Sequence, residues 1–198
     1  MLWSEGFPKQ LIMVHQIQEI DTRIFLLLNG LHSNWADFLM YWATERNTWI
    51  PLYFLIIVFF VWKYKQKSVL IIACLVTTVA LSDQFTSTFL KPLVRRLRPC
   101  HVVYLQNKIH AVTDCGGQYG FASSHAANSF GLAMALWLLI GHKYPAVKWF
   151  FAWAAIVSYS RIYIGVHYPF DVIAGALVGV AAAWVCVRLF TKINHSQF

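Results

Sequence analysis

The sequence predicts an all-α fold: a polytopic membrane bundle of about six transmembrane helices, forming one domain over residues 1–198. Composition is the first reason. Of 198 residues, 59% are hydrophobic, 17% aromatic and only 12% charged, too little polar surface to coat a soluble globule. The second is the recurrence of continuous apolar stretches at residues 48–64, 69–90, 126–141, 147–166 and 170–190, each near the roughly 20 residues that one crossing takes. The third is that polar residues gather in one long stretch, 91–124, with no internal repeat, low-complexity tract or linker.

In chain order, the N-terminal twenty residues carry Glu5, Lys9 and Glu19 and lack a long apolar core, so no cleaved signal is expected there. Residues 24–43 are the candidate for a sixth span. They are interrupted by Asn29, His32, Ser33, Asn34 and Asp37, and are expected either to cross beside other helices or to lie partly in the interface. Within the span at 69–90, Asp83 is an ionisable group in an apolar setting. It calls for an ion pair, an orienting hydrogen bond or a contact with water or ligand. The polar stretch that follows is where function is to be sought, because irregular backbone beside a membrane needs protein or water to satisfy it. The last span carries Gly175 and Gly179 four residues apart, with Ala174, Ala176 and residues 181–183 small as well. That spacing lets a neighbouring helix approach closely.

Three clusters carry chemistry. The first is Lys91-Pro-Leu-Val-Arg-Arg-Leu-Arg-Pro99, at the end of a span. Basic residues there commonly anchor a helix at the interface. If the segment after Pro92 is helical, however, Lys91 and Arg98 are nearly two turns apart and point the same way, with Arg95 between them. Such a face offers a phosphate the bidentate Arg fork and the compact Lys charge. The second cluster runs from Gly120 through Ser123, Ser124 and His125 to Asn128. Either serine is a candidate N-cap, which leaves backbone N–H groups and the positive end of a helix dipole available to an anion. The surroundings do not match a Gly-x-Ser-x-Gly nucleophile elbow, which argues against a serine hydrolase. In the third, Ser160 and Arg161 precede His167, Pro169 and Asp171. Pro169 suits the first turn of a new helix, which places His167 just before it and Asp171 within reach of the imidazole. A carboxylate holding one ring nitrogen protonated leaves the other lone pair free for attack.

The joint order is far more specific than its parts. Lys, six residues and Arg-Pro, then Ser-x-His, then Ser-Arg, five residues, His, three residues and Asp resembles the type 2 phosphatidic acid phosphatase family over residues 82–171. The resemblance implies that His167 is the nucleophile, forming a phosphohistidine, and that Asp171 orients it. It further implies that His125 protonates the leaving oxygen and that Lys91, Arg98, Ser123 and Arg161 hold phosphate, with Ser124 beside them. One departure is that the family's second motif usually reads Pro-Ser-Gly-His, whereas this chain has Ala122-Ser-Ser-His125. A side chain at Ser124 restricts how closely the backbone approaches an anion.

The implied reaction is metal-independent hydrolysis of a phosphate ester or anhydride on a membrane lipid. The whole chain has only eight acidic residues, too few clustered carboxylates for a two-metal site, and no cofactor is expected. Undecaprenyl diphosphate is placed first among substrates by resemblance to small bacterial members. Phosphatidylglycerophosphate, phosphatidic acid and the phosphates of lipid A are the alternatives. A lipid phosphotransferase or a vanadium-dependent haloperoxidase would share the cations and histidines, although the latter are mostly soluble. A non-enzymatic transporter or scaffold binding phospholipid headgroups would not need the His167–Asp171 pair. The expected partners are the bilayer and a lipid phosphate, with no nucleic acid; oligomeric state is not legible.

Orientation is legible in the loops. Lys63, Lys65 and Lys67, then His142, Lys143 and Lys148, then Arg188 and Lys192 fall on one side. The positive-inside rule makes that side cytoplasmic and turns the motif loops outward, to the periplasm or exterior of a bacterial inner membrane. Cys100 and Cys115 flank the motif loop. They either bridge, which requires an oxidising compartment, or remain two loop thiols.

Overall fold

The computed structural model describes residues 9–193, and Glu5 lies outside them. Among the described residues the chain is helical without named strands: α1 (Lys9–Asn29), α2 (Asn34–Thr44), α3 (Ile50–Tyr64), α4 (Ser68–Gln84), a π-turn at Phe85–Leu90, α5 (Lys91–Val94), α6 (Ser124–Ile140), α7 (Trp149–Tyr163) and α8 (Pro169–Ile193). The apolar stretches foreseen from residue 48 onward fall on α3, α4 with its π-turn, α6, α7 and α8. The most apolar 18-residue windows within Pro169–Lys192 and Arg46–Val94 have mean hydropathy 2.1 and 1.8. Arg46–Val94 is a hairpin rather than one rod, because Lys65 turns left-handed at φ 49° between α3 and α4.

Residues 24–43 do not form one helix. Ser33 starts α2 by accepting a hydrogen bond from Ala36 N, so the segment divides into the end of α1 and nearly all of α2. The interruptions noted in the sequence include the joint itself. Asn29 Nδ2 donates to the carbonyls of His110 (2.9 Å) and Tyr163 (2.7 Å), while its Oδ1 accepts from His110 N at 2.7 Å. A buried amide satisfied on both sides fixes the end of α1 against α7 and the motif loop.

At the centre is α6, packed against α4, α7 and α8. Ala126, Ala127, Ala133 and Ala135 on it are wholly buried. A Cβ on Gly175 or Gly179 of α8 would overlap the carbonyl oxygens of Ser123 and Ala127 of α6, so those glycines set the distance between the two helices. Phe60, Ile71, Leu136, Val147 and Val187 form a core toward one end. The outer surface of the helices is apolar where it meets no protein: Phe54, Trp62, Val69, Leu177 and Leu189 are exposed, as on a surface solvated by lipid.

The helices alternate in direction. Lys63, Lys65 and Lys67, Lys143 and Lys148, and Arg188 and Lys192 lie in or beside the last or first turns of helices at one extremity. The contact of Phe59 with Tyr144, ring centroids 5.5 Å apart, ties α3 to the turn between α6 and α7. The motif segments occupy the other extremity. There Cys100 and Cys115 are joined by a disulfide with Cα atoms 6.0 Å apart.

Candidate active site

Four helix ends converge on the site: the π-turn running into α5, the start of α6, the end of α7 and the start of α8. The chain reaches Lys91 through a π-turn whose looser winding is a common feature of functional sites. Beyond Pro92 the helix does not continue as foreseen, because it stops at Val94 and Arg95 turns left-handed at φ 51°. Arg95 consequently points away, its Nε on Pro92 O, and is exposed. Lys91 and Arg98 still face one cavity, by a different construction. Residues 96–98 run antiparallel to 118–120, with Arg98 N donating to Gln118 O at 3.1 Å and Gly120 N to Arg96 O at 2.8 Å. Arg98 is further pinned by donating from Nη1 to Cys115 O and from Nε to Tyr119 O. Gly116 takes φ +67° there, and a Cβ on it would come 3.1 Å from Arg98 Nη1. Burial lowers the pKa of Arg98 from its ordinary value, opposed by the charge of Asp171, yet a guanidinium stays charged.

Ser123 occupies the N-cap position of α6 without a side-chain cap. Its Oγ is buried with no hydrogen-bond partner among the described residues, and its N donates to Asp171 O at 2.9 Å. Ser124, in the first turn, has its Oγ 2.9 Å from Lys91 Nζ and 3.0 Å from the hydroxyls of Thr86 and Ser87. The residue that stands where the family usually has glycine is therefore turned to the lysine. His125 follows on the same turn. Asp83, the acid of α4, accepts from Asn128 Nδ2 at 3.0 Å and lies in the wall of the same cavity.

At the third motif, α7 ends with Val166 N and His167 N both donating to Arg161 O. Gly165 makes that turn at φ +83°, where a Cβ would press on His110 O at 3.1 Å. His167 is 1% exposed and Asp171 wholly buried. Nδ1 of His167 lies 3.5 Å from Asp171 Oδ2, longer than a formed hydrogen bond and within the looseness seen before substrate arrives. With Nδ1 facing the carboxylate, Nε2 is the free nitrogen. Burial lowers the pKa of His167 to about 4; Asp171 opposes this, and Arg161 and Arg98 reinforce it, so the ring is neutral at pH 7.

Lys91, Arg98, Ser124, His125, Arg161 and His167 line one cavity of about 900 Å³. Ser123 and Asp171 stand behind that lining rather than in it. Arg161 donates to Thr44 Oγ1 from Nη1, while its buried Nε has no hydrogen-bond partner among the described residues. The cavity continues from this charged end between α3 and α4 over Ile57, Ile72, Val76 and Val79. Its form suits an anionic head joined to an apolar tail. Among the described residues no group of three or more His, Cys, Asp or Glu side chains is placed to hold a metal ion.

Arg96 and Asp21 have no role assigned from the sequence. Arg96 bridges Asp171 to Asp21 of α1, and a Cβ on Gly120 would crowd Asp171 Oδ2 at 3.0 Å. The available signal for Asp21 is an acid just before the candidate span at 24–43, and its helix begins earlier than that span.

A membrane bundle whose helix ends bring cations and two histidines to a cavity with an apolar extension has the architecture of a lipid phosphohydrolase. The profile of the PAP2 superfamily matches residues 69–195; the chain belongs to that family and is a hydrolase acting on phosphate groups of membrane lipids. It is 37% identical over 194 residues to a lipid A 4'-phosphatase of Bacteroides thetaiotaomicron, covering 92% of this chain and 80% of that protein. To an undecaprenyl-diphosphatase of Sulfolobus acidocaldarius it is 29% identical over 184 residues, covering 93% and 79%. The crystal structure of a transmembrane PAP2-type phosphatidylglycerolphosphate phosphatase from Bacillus subtilis has a TM-score of 0.68 at 19% identity, covering 90% of this chain and 88% of that one, which shows a shared fold.

Proposed function

We propose that this protein hydrolyses a phosphate of a lipid A-type glycolipid without a metal, through a phosphohistidine at His167. The observation that carries the proposal is the shared cavity of Lys91, Arg98, Arg161, His125 and His167 with an apolar extension. Greater identity to the lipid A 4'-phosphatase than to the undecaprenyl-diphosphatase, 37% against 29%, reverses the substrate order expected from the sequence and puts undecaprenyl diphosphate second.

Nε2 of His167 attacks phosphorus as the bond to the lipid oxygen breaks, and His125 gives that oxygen a proton. A bound phosphate favours the imidazolium form of His125 that this step needs. His125 then takes a proton from water, whose oxygen attacks phosphorus, and cleavage of the N–P bond releases inorganic phosphate. Lys91, Arg98 and Arg161 offset charge on the transferring group, with Ser124 at its edge and Ser123 behind it. Asp171 holds the tautomer of His167. The supports for metal independence are these cations and the scarcity of clustered carboxylates.

The same reading has six crossings, α1, α3, α4, α6, α7 and α8, with α2 at the interface beside the site. Lysine-rich turns opposite the site support a cytoplasmic placement for them, and the Cys100–Cys115 bridge supports an oxidising compartment around the site. The protein would then act at the outer face of a bacterial inner membrane. Phosphate release by purified protein in detergent with excess EDTA tests the function. Turnover is expected on a lipid A 4'-phosphate ahead of undecaprenyl diphosphate, phosphatidylglycerophosphate and phosphatidic acid. No turnover until a divalent cation is restored would overturn the mechanism, and preference for the diphosphate would overturn the substrate order.

A further inference from the structure

The carboxylate behind His167 is not free to serve that ring alone. Asp171 Oδ1 accepts from Arg96 Nη1 at 2.8 Å, while Oδ2 accepts from Tyr168 N at 3.0 Å and faces His167. The second arm of the Arg96 fork lies 2.6 Å from Asp21 Oδ2, a charge contact outside directional hydrogen-bond geometry. Asp21 is wholly buried, and its Oδ1 accepts from Phe170 N at 3.0 Å, so both acids also receive N–H groups at the start of α8. The guanidinium stacks 3.9 Å over the Tyr168 ring, which fixes its plane.

The geometry points to Asp21 and Arg96 as positioning residues for the Asp171–His167 pair: Arg96 holds Asp171 in place, and Asp21 takes up the charge of Arg96 so that Asp171 keeps its own for the imidazole. The charges carry the argument. Asp171 and Arg96 alone would sum to no net charge, and such a pair does less to steady a ring that becomes cationic on attacking phosphorus. With Asp21 present, Arg96 and two carboxylates sum to one negative charge next to His167, matching the positive charge that develops there. A lysine in place of Arg96 could not span both acids in one plane. This inference rests on the assignment of His167 as nucleophile and Asp171 as its orienting acid.

An ion cluster that only fastens α1 to α8 would look similar in a structure, so the test must separate the two roles. Single-turnover and steady-state kinetics on Asp21→Asn, Asp171→Asn and the double variant do so, with turnover of the His167→Ala protein as reference. Asp21→Asn is expected to lower kcat by roughly 10- to 100-fold, the range for groups that orient a reacting residue, with KM unchanged. In the Asp171→Asn background the same substitution should cost almost nothing, since the residue through which it acts is already disabled. Arg96→Lys should likewise lower kcat and not KM, and takes the place of Asp21→Asn should that variant not fold. Equal losses from Asp21→Asn with and without Asp171, or a loss confined to KM or to melting temperature, would overturn the positioning role. Near-normal turnover by the His167→Ala protein would instead overturn the underlying mechanism, whatever Asp21 does.

Discussion

Replacing Gly179 with alanine is expected to weaken the bundle at the contact that sets the site's geometry. The added Cβ would overlap Ala127 O and stand 2.8 Å from Gly131 N and 2.9 Å from Ala127 C. All three atoms belong to the backbone of α6, so no side-chain rotation relieves them and the helices must part. Overpacking of this kind costs about 1–3 kcal/mol, which for a chain of this size lowers the melting temperature by about 2–12 °C. The rate should fall too, because α6 carries His125 and α8 carries Asp171. Thermal melts in detergent, followed by the fluorescence of the nine tryptophans, measure the first effect, and phosphate release well below the melt measures the second. Gly117→Ala is the control, since a Cβ there meets nothing within 4 Å. A Gly179→Ala protein that melts with the wild type would refute the claim that this glycine sets the α6–α8 distance.

The acid role of His125 predicts a dependence on leaving group: with a nitro-substituted aryl phosphate, which departs without protonation, His125→Ala should recover part of its rate and His167→Ala none. Equal losses of His125→Ala on both kinds of substrate would remove the assignment. Orientation is checked by a membrane-impermeant thiol reagent on intact bacterial cells. Cys100 and Cys115 should label only after reduction, and labelling that requires opening the inner membrane would reverse the topology.

What was legible in the sequence was what depends on local pattern. Continuous apolar runs announced α3, α4, α6, α7 and α8 because lipid on one side and the packed bundle on the other both ask for apolar side chains. His167 and Asp171 could be placed because Pro169 fixes a helix start between them, giving a pair four residues apart. α1 was obscured because Glu19, Asp21 and Arg23 break its hydropathy, although the second of these is buried by Arg96. The face shared by Lys91 and Arg98 was legible only on the condition of a helix after Pro92, which is not met. A helix would have supplied it, but Arg95 ends the helix and pairing with residues 118–120 supplies it instead. No local rule reveals that pairing, nor the contact of Arg96 with Asp171, which joins positions 75 apart. Ser124 was legible as a member of the phosphate site, but its neighbours Thr86, Ser87 and Lys91 stand 33 to 38 residues earlier and could not be seen beside it.

The central claim is the covalent intermediate, and rapid-quench trapping with a substrate labelled in the phosphate tests it most directly. Enzyme mixed with radiolabelled lipid phosphate and quenched in alkali within one turnover is expected to retain label on the peptide containing His167. That label should be stable to base, lost in mild acid and missing from the His167→Ala protein. Label on any other residue, or full turnover with no protein-bound phosphate at any quench time, would contradict the account.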